Sequence, residues 1–564
     1  MYGYVRRGNS QPVWLFPLVV FVVLILSALP LARLAEAGIT ALLRGGAYAL
    51  ITDPALWRST WYTVETAVYG TVISLLIGCL FAFLLTLTDI AGRGLLGFLF
   101  VLPMMIPPQV TALAWVQMTG PSSPLLKALH FTLPLGSPQP LYSIGGIALL
   151  YGVQHAPLVY LALRAGLMTL PRDGIEAARL AGASGFRVFC DIVLPLSMPG
   201  VIAGGAIAFV SSVGNFGIPA ILGIPASIFT LSTLIFTKFS SFGPRTFGDI
   251  AVLSTMIAVI SVVGLAVQGR ALRGRDYRLI GLSGAPAALA LGRWQYLALP
   301  LVTTILFAML VAPFLALVAG ALVPAYGVPL SLKTASLHAF TEILFRQTAT
   351  RTAFSNSLFL AGMTSMCLLA MTILVAYSLT KRRDVASRLI AGLIEIPYAL
   401  PGIIVAVSFI LVFAAPLPVL HVTLYGTIWI ILLAYFSAYF AVSLKPVFSA
   451  FLQLDPALEE AARLSGAGFF RRLMDIILPL IAPAAGASVI LVFLIACNEL
   501  TVSALLWSAG TQTLGVTIYN LDDSGSSDLA SAMSVLVVAM VVGLMLLLEF
   551  LGKRLPKGVL PWRS

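Results

Sequence analysis

Apolar residues in this chain neither alternate, as along half-buried strands, nor keep to one face, as along amphipathic helices; they fall in long runs punctuated by Gly, Pro and charge. An α-helix rises about 1.5 Å per residue, so about 18 such residues reach across a hydrocarbon core about 30 Å thick. Spans are predicted near 13–33, 61–88, 94–118, 142–165, 193–222 and 248–269. After an Arg- and Gly-rich interruption holding Arg270, Arg273, Arg275, Arg278 and Arg293, a second set is predicted near 294–322, 354–380, 386–414, 421–446, 477–507 and 529–552. The fold class that follows is an all-α membrane protein with about 12 transmembrane helices. The first run follows Arg6 and Arg7 but exceeds the 7–15 or so residues of a signal h-region, and is read as a span.

Composition agrees: 60% of residues are apolar and 10% charged, against about 25% charged in soluble domains. The net charge of +12 is placed asymmetrically. With the amino terminus cytoplasmic, the outside segments hold nine basic residues, Arg33, Arg44, Arg58, Lys127, Lys238, Arg245, Lys333, Arg346 and Arg351, leaving 24 of 33 inside. That bias predicts a multi-pass inner-membrane protein with both termini and the mid-chain linker in the cytoplasm. The basic balance needs no acidic partner beyond anionic lipid headgroups, and no nucleic acid.

The chain contains a long internal repeat. Residues 176–199 read EAARLAGASGFRVFCDIVLPLSMP and residues 460–483 read EAARLSGAGFFRRLMDIILPLIAP, in register at an offset of 284. Weaker correspondences pair Pro103 and Pro107 with Pro397 and Pro401, and Arg58 with Arg351. The halves are thus whole-unit duplicates of six spans each. An even number of crossings gives two parallel six-helix repeats about an axis along the membrane normal. The predicted domains are a first half at 1–270 with a loop at 170–192, a linker at 271–293, and a second half at 294–564 with a loop at 454–476.

Each repeated segment falls in a cytoplasmic loop yet reads as a short helix. Asp455 and Pro456 fit an N-cap followed by proline at the first helical position, and Asp173 with Glu176 fits a capping box. Gly182 is a helix stop or close-contact site, and a basic amphipathic stretch, Phe186 to Asp191, leads into the next span. Anchoring at the membrane surface accounts for the arginines. The small residues and glycine in both copies are better suited to sitting in another protein's cleft.

These segments resemble the EAA loop of binding-protein-dependent importer permeases: EAA, three residues, Gly, then a hydrophobic stretch closing in Leu-Pro. The resemblance covers nearly the whole chain, and the double-length form resembles the ferric iron branch of type I ABC importer permeases. It implies that Glu176, Ala177, Ala178, Gly182, Glu460, Ala461, Ala462 and Gly466 are positions coupled to an ATPase. It also implies two copies of a cytoplasmic ABC ATPase subunit, a periplasmic solute-binding protein, and ATP bound by the separate subunit, with no cofactor in this chain. The implied solute is ferric iron, with thiamine, polyamine, phosphonate or sulfate as alternatives.

No GxxxxGK[ST] loop, nucleophile elbow or HExxH helix occurs, so the chain is not expected to be an enzyme. Cys79, Cys190, Cys367 and Cys497 lie far apart, as do His130, His155, His338 and His421, and no metal site is implied. Asn215, followed by Phe216, Gly217 and Pro219, and Asn498 with Glu499 are polar groups at membrane depth. They either line a translocation path or bond neighbouring helices. Glu65 and Glu395 are helix-packing acids or proton sites, which leaves room for a rival reading, a proton-coupled secondary transporter. The duplicated cytoplasmic loop counts against it, since a carrier has no need of one.

Overall fold

A computed structural model describes residues 12–552, apart from 44–49, 132–133, 135, 169, 171, 242–245, 273–289, 326, 383 and 417–420. Most of the predicted linker, including Arg273, Arg275 and Arg278, lies outside the described residues, as do Arg6, Arg7 and the carboxyl-terminal basic group. Among those described, ten helices are long and apolar enough to cross a membrane, or up to twelve if two bent pairs each count as one span. In chain order they are Leu15–Ala41, Pro54–Leu87, the bent pair Arg93–Met105 with Pro108–Ala128, Ile144–Leu167, Gly185–Gly214 and Thr246–Leu272. The second set is Gly292–Ala321, Thr348–Lys381, the bent pair Val385–Ala399 with Gly402–Phe413, Ile428–Gln453, Phe469–Cys497 and Ser527–Phe550.

Two expectations change. The third and ninth spans are not straight; they turn by 102° and 111°. Proline disfavours the helical conformation in the residue before it, and Ile106 (φ −83°, ψ 135°) and Leu400 (φ −95°, ψ 143°), preceding Pro107 and Pro401, are extended. The fifth and eleventh spans begin earlier than predicted, taking in the short helices Gly185–Val188 and Phe469–Arg472, and end earlier, because the apolar run continues past a break into a second short helix, Gly217–Leu222 or Ser503–Leu506.

Proline also widens helices at fixed places. A single wide turn occupies 24–28, 189–193, 307–311 and 473–477, and each ends two residues before a proline: Pro30, Pro195, Pro313 and Pro479. A proline ring collides with the carbonyl four residues earlier and offers it no N–H; a wide turn moves that carbonyl aside without ending the helix.

The chain forms two compact units: Thr40–Arg351 with Gly515–Met540, and Met1–Ile39 with Thr352–Leu514 and Val541–Ser564. Units and repeat halves are different divisions, since each unit takes in the first span of the other half. In the second unit the helix from Leu15 packs on the ninth and tenth spans; in the first, Ala312–Ala321 packs on Pro108–Thr119.

Inside each unit the spans meet at equivalent positions through different chemistry. In the first, Gly70 and Gly78 let the second span approach the fourth so closely that a Cβ at Gly78 would lie 2.6 Å from the Val159 Cβ and 2.7 Å from the Ala156 carbonyl oxygen. Gly204 of the fifth span closes on Val159 from another side. In the second unit, Thr372, Ser443 and Ser488 stand at the places of Gly78, Val159 and Gly204 and form a hydroxyl ladder, at 3.2 Å between Thr372 and Ser443 and 2.8 Å between Ser443 and Ser488. Both are recognised ways of joining helices where lipid supplies no hydrophobic drive.

Gly78→Leu is expected to destabilise the protein by about 1–3 kcal/mol or more through overpacking. Thr372→Val, which removes one hydroxyl from the ladder, should cost about 1 kcal/mol. Thermal unfolding in detergent measures both; an unchanged midpoint for Gly78→Leu contradicts the close approach.

Candidate functional site

The two repeated loops adopt the same backbone. The first forms a helix, Arg172–Leu180, and the second a helix, Pro456–Leu464. Asp455 caps the second as expected, its carboxylate accepting from the Ala457 N–H at 2.9 Å with Pro456 at the first helical position. The first helix starts at Arg172, so Asp173 lies inside it rather than at the cap; its side chain is outside the described residues.

Both helices stop at glycine. Gly182 has φ +82° and Gly466 φ +81°, a conformation that glycine adopts without steric penalty. The Ala183 N–H donates to the Ala178 carbonyl and that of Gly182 to Arg179, each at 2.9 Å. The matching bonds, Ala467 to Ala462 and Gly466 to Arg463, are each 3.0 Å. This paired closure satisfies the last carbonyls and turns the chain sharply. It leads into a second short helix, Gly185–Val188 or Phe469–Arg472.

Glu176, Ala177 and Gly182 are exposed, as are Glu460, Ala461 and Gly466, while Ala178 and Ala462 are half-buried. Beside them Leu180 is 91% exposed and Leu464 86%, with Phe186 and Phe470 also open. Both copies thus hold large apolar side chains out beside charges.

The inner faces differ. Glu459 is buried, receives the Tyr377 hydroxyl hydrogen, and pairs with Lys381 and with Arg472, whose Nε lies 3.4 Å away. Arg472, 6% exposed, also donates from Nη1 to the Ala467 carbonyl at 3.2 Å. In the first loop the same positions hold Ile175 and Val188, both buried. The replacement of Val188 by Arg472 is visible in the repeat; the cluster around Glu459 was not anticipated.

The polar residues after the fifth and eleventh spans act as caps. The Asn215 carboxamide oxygen accepts from the Ile218 N–H at 3.1 Å, and its backbone carbonyl accepts from Ser232 at 2.9 Å. Glu499 accepts from the Val502 N–H at 2.6 Å and the Ser503 N–H at 3.1 Å. The repeat offset pairs Asn215 with Glu499, so one cap serves both breaks; Asn498 instead donates back to the Leu494 carbonyl at 3.1 Å. Glu395 has a partner in Lys445 at 3.2 Å, which favours its packing role, and Glu65 is half-buried.

A cavity of about 220 Å³ lies within the first unit, lined by Gln117, Tyr142, Tyr519, Asp522, Asp523 and Ser527 among others. Burial pushes the Asp522 carboxyl up to about 6. Burial thus disfavours the charged form of Asp522, and a cation bound beside it would favour that form.

Residues 70–277 and 369–560 match the family described as binding-protein-dependent transport system inner membrane component. The chain is 26% identical over 520 residues to the probable ABC transporter permease protein y4fN of Sinorhizobium fredii, covering 90% of this chain and 89% of that one. It is 24% identical to the ferric transport system permease protein FbpB of Actinobacillus pleuropneumoniae, over 86% of this chain and 70% of that one. The molybdenum transport system permease protein ModB of Escherichia coli is 29% identical over 38% of this chain and 93% of its own length.

Gly466→Val places a β-branched residue at φ +81° with nothing within 4 Å of its Cβ, so the cost, about 1–2 kcal/mol, is one of backbone conformation and not collision. Hydrogen exchange should accelerate at the Ala467 amide; unchanged exchange there contradicts the helix stop.

Proposed function

We propose a function from one premise: the chain belongs to the family of binding-protein-dependent transport system inner membrane components. It is the permease of an ABC importer, in which translocation and ATP hydrolysis reside on separate polypeptides. On our reading a periplasmic binding protein delivers solute to the outer face, and two copies of a cytoplasmic ABC ATPase dock on the helices Arg172–Leu180 and Pro456–Leu464. Both termini are then cytoplasmic, in line with the charge bias.

The observation that carries this reading is the duplicated contact surface. Each copy presents a glutamate, small residues and a bare leucine, stopped by a glycine that fixes the turn. When the motor closes on ATP, the two helices move with it and shift the spans that follow between outward-open and inward-open states. The permease contributes differential affinity between those states. Asn215, Asn498 and Glu499 sit where the spans break, and we place them at the edge of the path; their capping bonds make them supports of the path wall rather than ligands for solute.

We assign ferric iron as the solute. Similarity to a ferric permease over most of the chain supports this, and the Asp522 and Asp523 wall suits a cation better than an oxyanion such as molybdate. Thiamine and polyamines are cations too, so growth of a deletion strain on limiting iron, thiamine or polyamine decides among them. Growth restored by molybdate or phosphonate alone would exclude iron.

Changing Gly182 and Gly466 together to Leu is expected to lower uptake about tenfold or more while the ATPase still hydrolyses ATP, a coupling loss within the usual range. Uptake equal to that of the unaltered protein would contradict the coupling role.

A further inference from the structure

Four positions that the repeat brings into register change from apolar to polar or charged between the halves. The offset of 284 sets Ile175 against Glu459 and Val188 against Arg472; the offset of 294 that pairs Pro103 with Pro397 sets Phe83 against Tyr377 and Leu87 against Lys381. In the first unit these side chains make apolar contacts: Ile175, Val188 and Leu87 are buried, and Phe83 meets Phe189 edge to face at 4.9 Å. In the second they close into a cluster in which one carboxylate takes a hydroxyl, an ammonium and a guanidinium. Aromatic contacts extend it. Phe469 meets Tyr377 at 5.2 Å, Trp14 meets Phe469 and Phe470 at 6.0 and 6.2 Å, and the Arg382 guanidinium lies 4.0 Å over the Phe16 ring.

A buried ion pair gains little stability over apolar packing of the same volume, and its best-attested use is to fix register. Apolar contact is non-directional and tolerates rotation, whereas charge-assisted hydrogen bonds to one carboxylate fix distance and angle together. Resting on the reading that both helices dock an ATPase, we propose that the two are held by unlike anchors. Glu459 is a positioning residue that locks the helix Pro456–Leu464 to the end of the eighth span, while the helix Arg172–Leu180 pivots on its apolar seat. The second loop transmits motor movement rigidly and the first yields.

The test uses the full chain with its ATPase and binding protein in proteoliposomes, reading bound ATPase, ATP hydrolysis and solute moved per ATP. Glu459→Gln should retain stoichiometric ATPase and lower solute per ATP about fivefold or more, with Ile175→Ala changing that ratio less than about twofold. The double variant Glu459→Ile with Arg472→Val, which gives the second loop the side chains of the first, should fold and bind ATPase yet stay poorly coupled. Full coupling in that variant, or equal losses for Glu459→Gln and Ile175→Ala, would overturn the proposal. Hydrogen exchange on the chain alone separates this from the docking reading. Amides of residues 457–464 should exchange about tenfold more slowly than those of Arg172–Leu180, and Glu459→Gln should abolish the difference. If no ATPase binds even to the unaltered chain, the docking reading fails while exchange still decides the anchor.

Discussion

Within a bilayer there is no water to satisfy a backbone N–H or carbonyl that leaves a helix, so every interruption of a span needs a partner from the protein. The architecture follows from how these interruptions are repaired. Where Pro107 bends the third span, Gln154 of the fourth donates from Nε2 to the Pro103 and Ile106 carbonyls at 3.0 Å each, and its carboxamide oxygen accepts from Thr111 at 3.0 Å. Where the fifth and eleventh spans stop, Asn215 and Glu499 cap the next short helix. A hydroxyl on the second or eighth span then accepts the opening N–H of the helix beyond: Thr63 from Leu231 at 2.8 Å, Ser357 from Leu514 at 2.9 Å.

The duplication preserves the caps and the hydroxyl acceptors, but Ala438 stands at the place of Gln154, and the side chains around these repairs diverge. Glycine packing in one unit becomes a hydroxyl ladder in the other, and an apolar loop seat becomes an ion cluster. Backbone geometry is retained more closely than residue chemistry, as expected where a wrongly placed carbonyl is dearer than a changed contact. The wide turns at 189–193 and 473–477 keep both spans continuous with the short helices that precede them.

Much of this is legible in the sequence because membrane spans and the EAA repeat are local signals. Apolar runs mark the spans, and Gly182 reads as a stop. What escapes is long-range. Nothing local says that the helix from Leu15 packs with the second half's spans, or that Glu459 is buried while its neighbour Glu460 is exposed, since that depends on Tyr377 and Lys381 some 80 residues away. Of the neighbours Asn498 and Glu499, it is Glu499 that the repeat register pairs with Asn215 and that caps the break. The breaks after the fifth and eleventh spans were hidden because the short helices beyond them are as apolar as the spans.

The central claim is that the two exposed loops receive a separate motor. Gentle purification of the chain from its native membrane, with identification of what accompanies it, tests this most directly. The account predicts stoichiometric recovery of a P-loop ATPase that is lost when Glu176 and Glu460 are both altered. Recovery of the chain alone, with solute uptake in vesicles driven by a proton gradient, would contradict it.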